Sequence, residues 1–195
     1  MRIGLIGGEC TGKSTLAGDL AGALRRQTAA RVHVVPEALR AFVQEHGRAP
    51  VASEQAGIMA AQRAAEDAAA SAGGIVIADP ATMMTAVYSE LYFEDAALWG
   101  PALQDARDYA VVLWCRPDLP WEPDPGQRDG PAFREHADAL IASKLTADPE
   151  WTNLAGRTFS VSGDRATRLR QAVTHAMAAV TATGVWREGE PGFAT

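Results

Sequence analysis

The stretch GLIGGECTGKSTLA at residues 4–17 decides the fold predicted for this chain. Residues 7–14 satisfy the pattern GxxxxGK[ST], with an apolar run before them and an amphipathic helical pattern after them. Gly7 and Gly12 let the backbone curl so that successive N–H groups point inward, and the positive end of the following helix adds to this field. The stretch therefore predicts a phosphate-binding loop between a strand and a helix.

Two side chains of this loop carry predicted chemistry. Lys13 is expected to reach the β- and γ-phosphates of ATP, and the Ser14 hydroxyl is expected to bind Mg²⁺. Because residues 8–11 offer backbone N–H groups, the Glu9 carboxylate is expected to face a second ligand or a structural arginine, and the Cys10 thiol is expected to be incidental. The predicted nucleotide-binding set of the loop is Gly8, Glu9, Cys10, Thr11, Gly12, Lys13, Ser14 and Thr15.

Short apolar runs alternate with longer helical patterns along the chain. The runs that predict strands lie at residues 2–7, 31–36, 74–79, 109–115 and 157–163. The clearest helical patterns cover residues 13–27, 53–71 and 164–183. The middle three strands are apolar nearly throughout, as strands buried on both faces of a parallel sheet are. The alternation predicts a three-layer α/β/α fold around a five-stranded parallel sheet.

Residues 116–136 break this alternation, because they contain five prolines and five acidic residues. Their polarity predicts a loop that leads into a short helix, either as a solvated connector or as a mobile lid over an active site. In a lid, Arg128 or Arg134 would neutralise charge on a transferring phosphoryl group and help to exclude water. The sequence predicts a single domain over residues 1–183, with this lid inside it and a tail at 184–195.

Two acidic residues follow predicted strands at the edge where open α/β sheets bind ligands. Asp79 ends the third strand and is expected to orient Mg²⁺, whereas Glu37 follows the second strand and is expected to hold and deprotonate an acceptor hydroxyl. The reverse assignment is open. So are the plainer interpretations, in which Glu37 and Arg40 form a surface ion pair and Asp79 is a solvated turn residue.

Aromatic residues near these positions predict a stacking surface for a flat ring substrate. Trp121 lies in the predicted lid, and Tyr88 and Tyr92 share a helical face after Asp79. For the two tyrosines, ordinary core packing explains the spacing equally well.

Composition narrows the class of partner. The net charge is −6 and the arginines are scattered, so neither a nucleic acid nor an anionic membrane is an expected partner. Cys10 and Cys115 are the two cysteines, and their spacing predicts neither a disulfide framework nor a zinc site. The chain shows no leader pattern and no apolar run of membrane-spanning length, so a soluble cytoplasmic protein with a small-molecule substrate is expected.

Four segments, in this order, resemble the ribosylnicotinamide kinase domain of NadR-type proteins and their stand-alone P-loop relatives. The segments are GGECTGKSTLA, PEALR, IADPATMMTAVYSELYF and VLWCRPDLPWEPDPGQRDGPAFREHA. The acid at the third position of the loop, Glu9, is typical of that family, and the resemblance covers roughly residues 1–180. It implies a nucleoside-kinase-like fold and transfer of the γ-phosphate of ATP, with Mg²⁺, to the ribose 5′-hydroxyl of nicotinamide riboside.

The resemblance also implies roles by position. Lys13 and Ser14 would bind phosphate and magnesium. Glu37, Arg40 and Asp79 would serve the acceptor and metal sides, and Trp121 and Arg128 would belong to the lid. Gly163, between the last strand and the last helix, would pack against adenine by analogy with related kinase folds.

Two other functions compete with this one. The chain would otherwise be another nucleoside or nucleotide kinase, or a regulatory P-loop ATPase without a small-molecule acceptor. A GTPase switch is disfavoured, because neither Lys13 nor Lys144 lies in an Asn-Lys-x-Asp motif and Asp79 does not begin an Asp-x-x-Gly turn.

Overall fold

The computed structural model describes residues 1–123 and 130–184. The strands are β1 (Arg2–Ile6), β2 (Val32–Pro36), β3 (Ile75–Asp79), β4 (Tyr109–Cys115) and β5 (Thr158–Val161). The helices are α1 (Lys13–Gln27), α2 (Ala38–His46), α3 (Gln55–Ser71), α4 (Met83–Phe93), α5 (Trp99–Ala106), α6 (Pro131–Ala147), α7 (Thr152–Ala155) and α8 (Arg165–Thr183). Within the described ranges, no helix combines the length and apolar character that a membrane crossing requires.

All five strands pair in parallel in the order β2-β3-β1-β4-β5, which confirms the predicted α/β sheet. From β1 the chain crosses to the β2 edge and returns to β3, which lies between β2 and β1. It then continues on the other side of β1 with β4 and β5. The carboxyl end of β1 is therefore the switch point of the sheet, the position at which open α/β folds bind ligands. The loop at residues 7–14 leaves the sheet at this point.

Alternate residues of the strands divide the core into two apolar clusters, one on each face of the sheet. Leu5 packs with Leu16 and Leu20 of α1 and with Val180 of α8. The next residue, Ile6, packs on the opposite face in a cluster formed mainly by α4, α5 and α6. Helices on both faces give the three layers that the sequence predicts.

Helix α6 is longer than the short helix expected after the proline-rich segment. It covers 17 residues, begins with Pro131 at its first turn, and buries Ala137, Ile141 and Leu145 along one stripe. Proline is favourable at this position because the first N–H of a helix has no intrahelical partner. The helix extends beyond residue 136 because this apolar stripe continues and packs in the core. The last residues of the predicted lid therefore belong to a core helix.

The carboxyl group of Glu66, on α3, is buried among polar partners. It is fully buried and accepts hydrogen bonds from the Tyr109 hydroxyl at 3.0 and 2.9 Å, while a guanidinium nitrogen of Arg2 lies 3.9 Å away. Burial raises the pKa of Glu66 to about 7, against the opposing effects of Tyr109 and Arg2. The folded state therefore holds a proton on this carboxyl group that the unfolded chain releases at lower pH.

We expect the free energy of unfolding to fall as the pH rises from about 4.5 to about 7, because over this range the folded state binds the Glu66 proton more tightly than the unfolded chain does. The change due to this group is at most roughly 3 kcal/mol. Glu66→Gln removes the titration and should flatten this part of the pH profile in urea unfolding experiments. Glu135→Gln, at an exposed position of α6, is the control and should keep the wild-type slope. A Glu66→Gln profile parallel to wild type would contradict the assignment.

Candidate functional site

The phosphate-binding loop is held in shape by its own backbone and by β4. Gly7 has φ +137°, and a Cβ at this position would lie 2.5 Å from the Cys115 carbonyl oxygen, so only glycine fits. The Lys13 ammonium donates to the Gly7 and Gly8 carbonyl oxygens, each at 2.7 Å, and the buried Thr11 hydroxyl donates to Gly8 at 2.8 Å. These bonds leave one ammonium N–H of Lys13 for a further acceptor.

The start of α1 suits an anion. Gly12 precedes the helix in the left-handed conformation with φ 80°, and the first turn contains no acidic residue that would offset the positive end of the helix. The carboxylate of Glu9 is directed to the neighbouring helix instead, where the Tyr92 hydroxyl donates to it at 3.4 Å. The loop therefore contains an acidic residue whose carboxylate is directed away from the start of α1, where a phosphate would bind.

The loop opens into a cavity of about 1100 Å³. Most of its walls come from the loop itself, from α2 and the turn after it, and from the end of α4. The lining residues are Glu9, Cys10, Thr11, Gly12, Lys13, Ser14, Thr15, Glu37, Leu39, Arg40, Val43, Gln44, Ala49, Pro50, Gln55, Tyr88, Tyr92 and Phe93. The structure thus brings the predicted nucleotide-binding residues of the loop, except Gly8, together with four predicted acceptor-side residues, Glu37, Arg40, Tyr88 and Tyr92.

Asp79 lies at the carboxyl end of β3, beside the loop, and is only 7 % exposed. Burial raises the pKa of Asp79, whereas a hydrogen bond from Ser14 and the charge of Lys13 act in the opposite direction. Its Oδ1 atom is buried and has no hydrogen-bond partner among residues 1–123 and 130–184. Mg²⁺ prefers oxygen ligands, and a carboxylate oxygen without a hydrogen-bond partner lies here beside a hydroxyl group. Ser14 and Asp79 therefore fit the predicted metal site.

Magnesium in such a site takes most of its ligands from phosphate and water rather than from protein. In the described part of the chain, no cluster of three or more His, Cys, Asp or Glu side chains forms a self-sufficient metal site. The pair of Ser14 and Asp79 is therefore suited to a metal that arrives with a nucleotide.

Glu37 precedes α2 and its side chain is 18 % exposed at the cavity wall. The Arg40 guanidinium donates to it at 3.0 Å. Behind it, Gln62 of α3 accepts from the Ala38 N–H at 2.8 Å and donates to the Pro80 carbonyl at 3.2 Å. One buried side chain thus fixes the backbone beside both Glu37 and Asp79, and sequence periodicity gave no sign of this connection.

The two tyrosines of α4 form an aromatic wall together with a residue of α6. Phe133 stacks on Tyr92 with ring centroids 4.4 Å apart and on Tyr88 at 6.4 Å. Burial and the charges of Glu37 and Glu9 raise the pKa of Tyr88, so its hydroxyl stays protonated and can donate a hydrogen bond. Tyr88 both packs in the core and lines the cavity, whereas Tyr92 is 43 % exposed and only lines the cavity.

Trp121 and Arg134, which the sequence also predicts for the site, do not line the cavity, and their segments adjoin the phosphate-binding loop. The guanidinium carbon of Arg134 lies 5.5 Å from the ring centre of Trp121, and Arg134 is 7 % exposed and donates to the Leu119 carbonyl at 2.8 Å. The Cys10 sulfur accepts from the Glu122 N–H at 3.3 Å, which joins the loop to the same segment. Arg128 lies outside the described residues.

Arg168 of α8 is a residue that the sequence analysis missed. It is 3 % exposed, and its guanidinium donates to the carbonyl oxygens of Gly163 at 2.8 Å, Thr11 at 2.9 Å and Arg116 at 3.0 Å. It also pairs with Asp118, which accepts from the Gly163 N–H at 2.5 Å. Arg168 therefore ties the phosphate-binding loop to the segments after β4 and β5.

A sequence signal for Arg168 exists in hindsight. The buried face of α8 consists of Arg168, Ala172, Ala176 and Val180, four residues apart, and not of the larger apolar residues beside them. An arginine that continues a stripe of small buried residues must find partners inside the protein, because an unpaired buried charge is costly.

A family model described as an AAA domain (AAA_28) matches residues 2–168, and the chain belongs to this family. The fold is that of the P-loop kinases. A NadR protein in complex with NR superposes on 100 % of this chain with a TM-score of 0.63 and 18 % identity, and the chain spans 51 % of that protein, about half its length. The resemblance to NadR-type and P-loop kinase proteins is thus confirmed.

Two further solved structures share the fold over most of their length. Thymidylate kinase from Candida albicans has a TM-score of 0.61 and 13 % identity, with 95 % of this chain and 93 % of that one covered. Deoxyadenosine kinase from M. mycoides with bound dATP has a TM-score of 0.57 and 11 % identity, with 91 % and 99 % covered. No curated protein matches the chain by sequence. At these identities the similarity concerns the fold.

We expect Arg168→Met to destabilise the protein by about 3 kcal/mol or more, because it leaves Asp118 and three carbonyl groups without their buried partner. The shift in the midpoint of urea unfolding measures this loss. Arg170→Met is the matched control, since Arg170 is exposed on the same helix and bonds only the Thr167 hydroxyl among the contacts described. Equal midpoints for the two variants would contradict the role given to Arg168.

Proposed function

We propose that this protein is an ATP-dependent kinase that phosphorylates an alcohol group of a small nucleoside-like substrate. The finer proposal is transfer to the ribose 5′-hydroxyl of nicotinamide riboside, which gives nicotinamide mononucleotide. One observation carries the proposal: a single cavity joins the phosphate-binding loop to a wall that contains Glu37, Tyr88 and Tyr92. A cytoplasmic location, expected from the cysteine usage, agrees with this function.

The nucleotide side of the proposed reaction uses the loop. Backbone N–H groups of residues 8–15 and the start of α1 bind the triphosphate, and Lys13 donates its remaining N–H to a phosphate oxygen. Ser14 and Asp79 would hold Mg²⁺, which would neutralise charge on the phosphate oxygens. Gly163 is proposed to lie beside adenine, and Arg168 keeps its turn in a fixed relation to Thr11.

The acceptor side uses Glu37 as the base. The acceptor hydroxyl oxygen forms a bond to the γ-phosphorus, the bond to the oxygen that bridges the β- and γ-phosphates breaks, and the hydroxyl proton passes to the Glu37 carboxylate. Two observations support this assignment over the reverse one: Glu37 lines the cavity, and Asp79 is buried behind the loop. Arg40 holds the Glu37 carboxylate in position.

The closing segment stays a prediction. Arg134 already bonds Leu119, which supports a role for it in holding this segment against the loop. Contact with the transferring phosphoryl group is assigned to Arg128, and stacking on a bound ring is assigned to Trp121 after closure of the segment that precedes α6.

The carboxylates and aromatic residues of the cavity support the choice of substrate. Glu9 and Glu37 line it together with Tyr88 and Tyr92, and Asp79 lies beside it, while Lys13 and Arg40 provide the positive charge for the phosphates and for the position of Glu37. Carboxylates and aromatic faces both attract a flat cation, and nicotinamide riboside carries a pyridinium ring.

A screen for ADP release over nucleosides, nucleotides and small polyols, with nicotinamide riboside included, tests the function. We expect slow ATP hydrolysis alone and fast turnover with the correct acceptor. Lys13→Ala should lower that turnover by about a hundredfold or more, because it removes charge that stabilises the transition state. Lys144→Ala, at the only other lysine, should retain it. Tight ATP binding with no acceptor dependence would indicate a regulatory ATPase instead.

The role of Glu37 is tested separately. Glu37→Gln keeps the shape of the side chain but cannot accept the proton, so kcat should fall by about a hundredfold or more while ATP affinity stays close to wild type. Glu45→Gln, an exposed position of α2, provides the matched control. Unchanged acceptor phosphorylation by Glu37→Gln would remove Glu37 from the mechanism.

A further inference from the structure

We propose that Gln55 selects the ring of the nucleoside substrate. Its side-chain amide would pair with a ring edge that carries a hydrogen-bond donor next to a hydrogen-bond acceptor. A primary carboxamide on the ring is the simplest such edge. The inference rests on the proposed function, in that the cavity is taken to hold a nucleoside.

Gln55 is the first residue of α3 and is only 3 % exposed, yet it lines the cavity. Its side-chain amide makes no hydrogen bond to any residue in the described ranges 1–123 and 130–184. Although most of the residue is buried, the amide atoms are not sealed in the core as Asp79 Oδ1 is, so they stay accessible from the cavity. An unused amide at the wall of a cavity is therefore a group that a ligand can satisfy.

A second glutamine on the same face of α3 provides the contrast. Gln62 lies seven residues further along, is also 3 % exposed, and uses both ends of its amide on the backbone of Ala38 and Pro80. Residues seven apart lie on one side of a helix, two turns from each other. Gln62 thus links the backbone segments of the site, whereas Gln55, two turns earlier on α3, lines the cavity.

The surroundings of Gln55 indicate which part of a substrate reaches it. Glu37, Leu39 and Tyr88 line a second, small cavity together with Gln55, which places Gln55 next to the proposed base and the aromatic wall. The main cavity is also lined by the apolar residues Pro50 and Phe93, which suit a flat ring. With the sugar hydroxyl at Glu37, the proposal places the edge of that ring at the Gln55 amide.

The chemistry of the amide sets the preference. The NH₂ group donates to a carbonyl oxygen of the ligand, and the amide oxygen accepts from a ligand N–H. A ligand that carries a carboxylate in place of the carboxamide offers two hydrogen-bond acceptors and no donor. One carboxylate oxygen would then face the amide oxygen of Gln55 without a proton between them. A site that is built to pair with a donor rejects an analogue that lacks it, because its own buried group is left unpaired.

The test is calorimetric titration of the protein with nicotinamide riboside and with nicotinic acid riboside, in the presence of Mg²⁺ and a non-hydrolysable ATP analogue. Wild type should bind the carboxamide nucleoside about tenfold or more tightly than the carboxylate one. Gln55→Met should lose most of this ratio by weakening the carboxamide complex. Gln55→Glu, which keeps the shape of the side chain, should also weaken it. Gln104→Met, at an exposed position of α5, should keep the wild-type ratio.

The outcomes separate the two proposals. Equal binding of the two nucleosides by wild type, an unchanged ratio in Gln55→Met, or binding of neither nucleoside would each overturn the role of Gln55, even if the protein is an active kinase. The predicted ratios without phosphate transfer in the ADP-release screen would support Gln55 and overturn the kinase proposal.

Discussion

The close approach of Gly7 to the end of β4 is the constraint on which the rest of the site depends. A side chain at Gly7 would meet the Cys115 carbonyl oxygen at 2.5 Å, so the chain leaves β1 along a path that only glycine allows. After this path, Gly12 adopts the left-handed conformation and α1 starts at Lys13. Arg168 bonds the Thr11 carbonyl from the other side of the loop. The loop is therefore shaped by contacts within the protein, and a preformed anion site reduces the entropy lost on binding.

Glu37 and Asp79 are held in a fixed relation to each other, because the neutral side chain of Gln62 links the backbone segments beside them. Gln62 bonds the peptide groups next to Glu37 and Asp79, and so it couples β3 to the start of α2. The two carboxyl groups then differ in environment: Asp79 is buried and held close to Lys13 and Ser14, whereas Glu37 faces the cavity beside Arg40. Different surroundings are what allow two like groups to take different chemical roles.

The sequence predicted most of the fold, since the signals for it are local. The strand and helix patterns carry their periodicity within a few residues, and the phosphate-binding loop is contiguous. The extent of α6 was missed, because the proline-rich segment before it hid an apolar stripe that continues to Leu145. Arg168 and Gln62 were missed for another reason. Their partners lie far along the chain, and no local pattern connects Arg168 to Thr11.

By itself the sequence determined the parallel α/β sheet, the anion-binding loop and the acidic residues at the strand ends. Each of these follows from residue type and short-range spacing. The tertiary structure decided that Glu37, Tyr88 and Gln55 share one cavity, that Glu9 turns toward Tyr92, and that Arg134 faces Leu119. These contacts depend on the order of strands in the sheet and on how α3, α4 and α6 pack against it. Such packing brings together residues that no spacing along the chain relates.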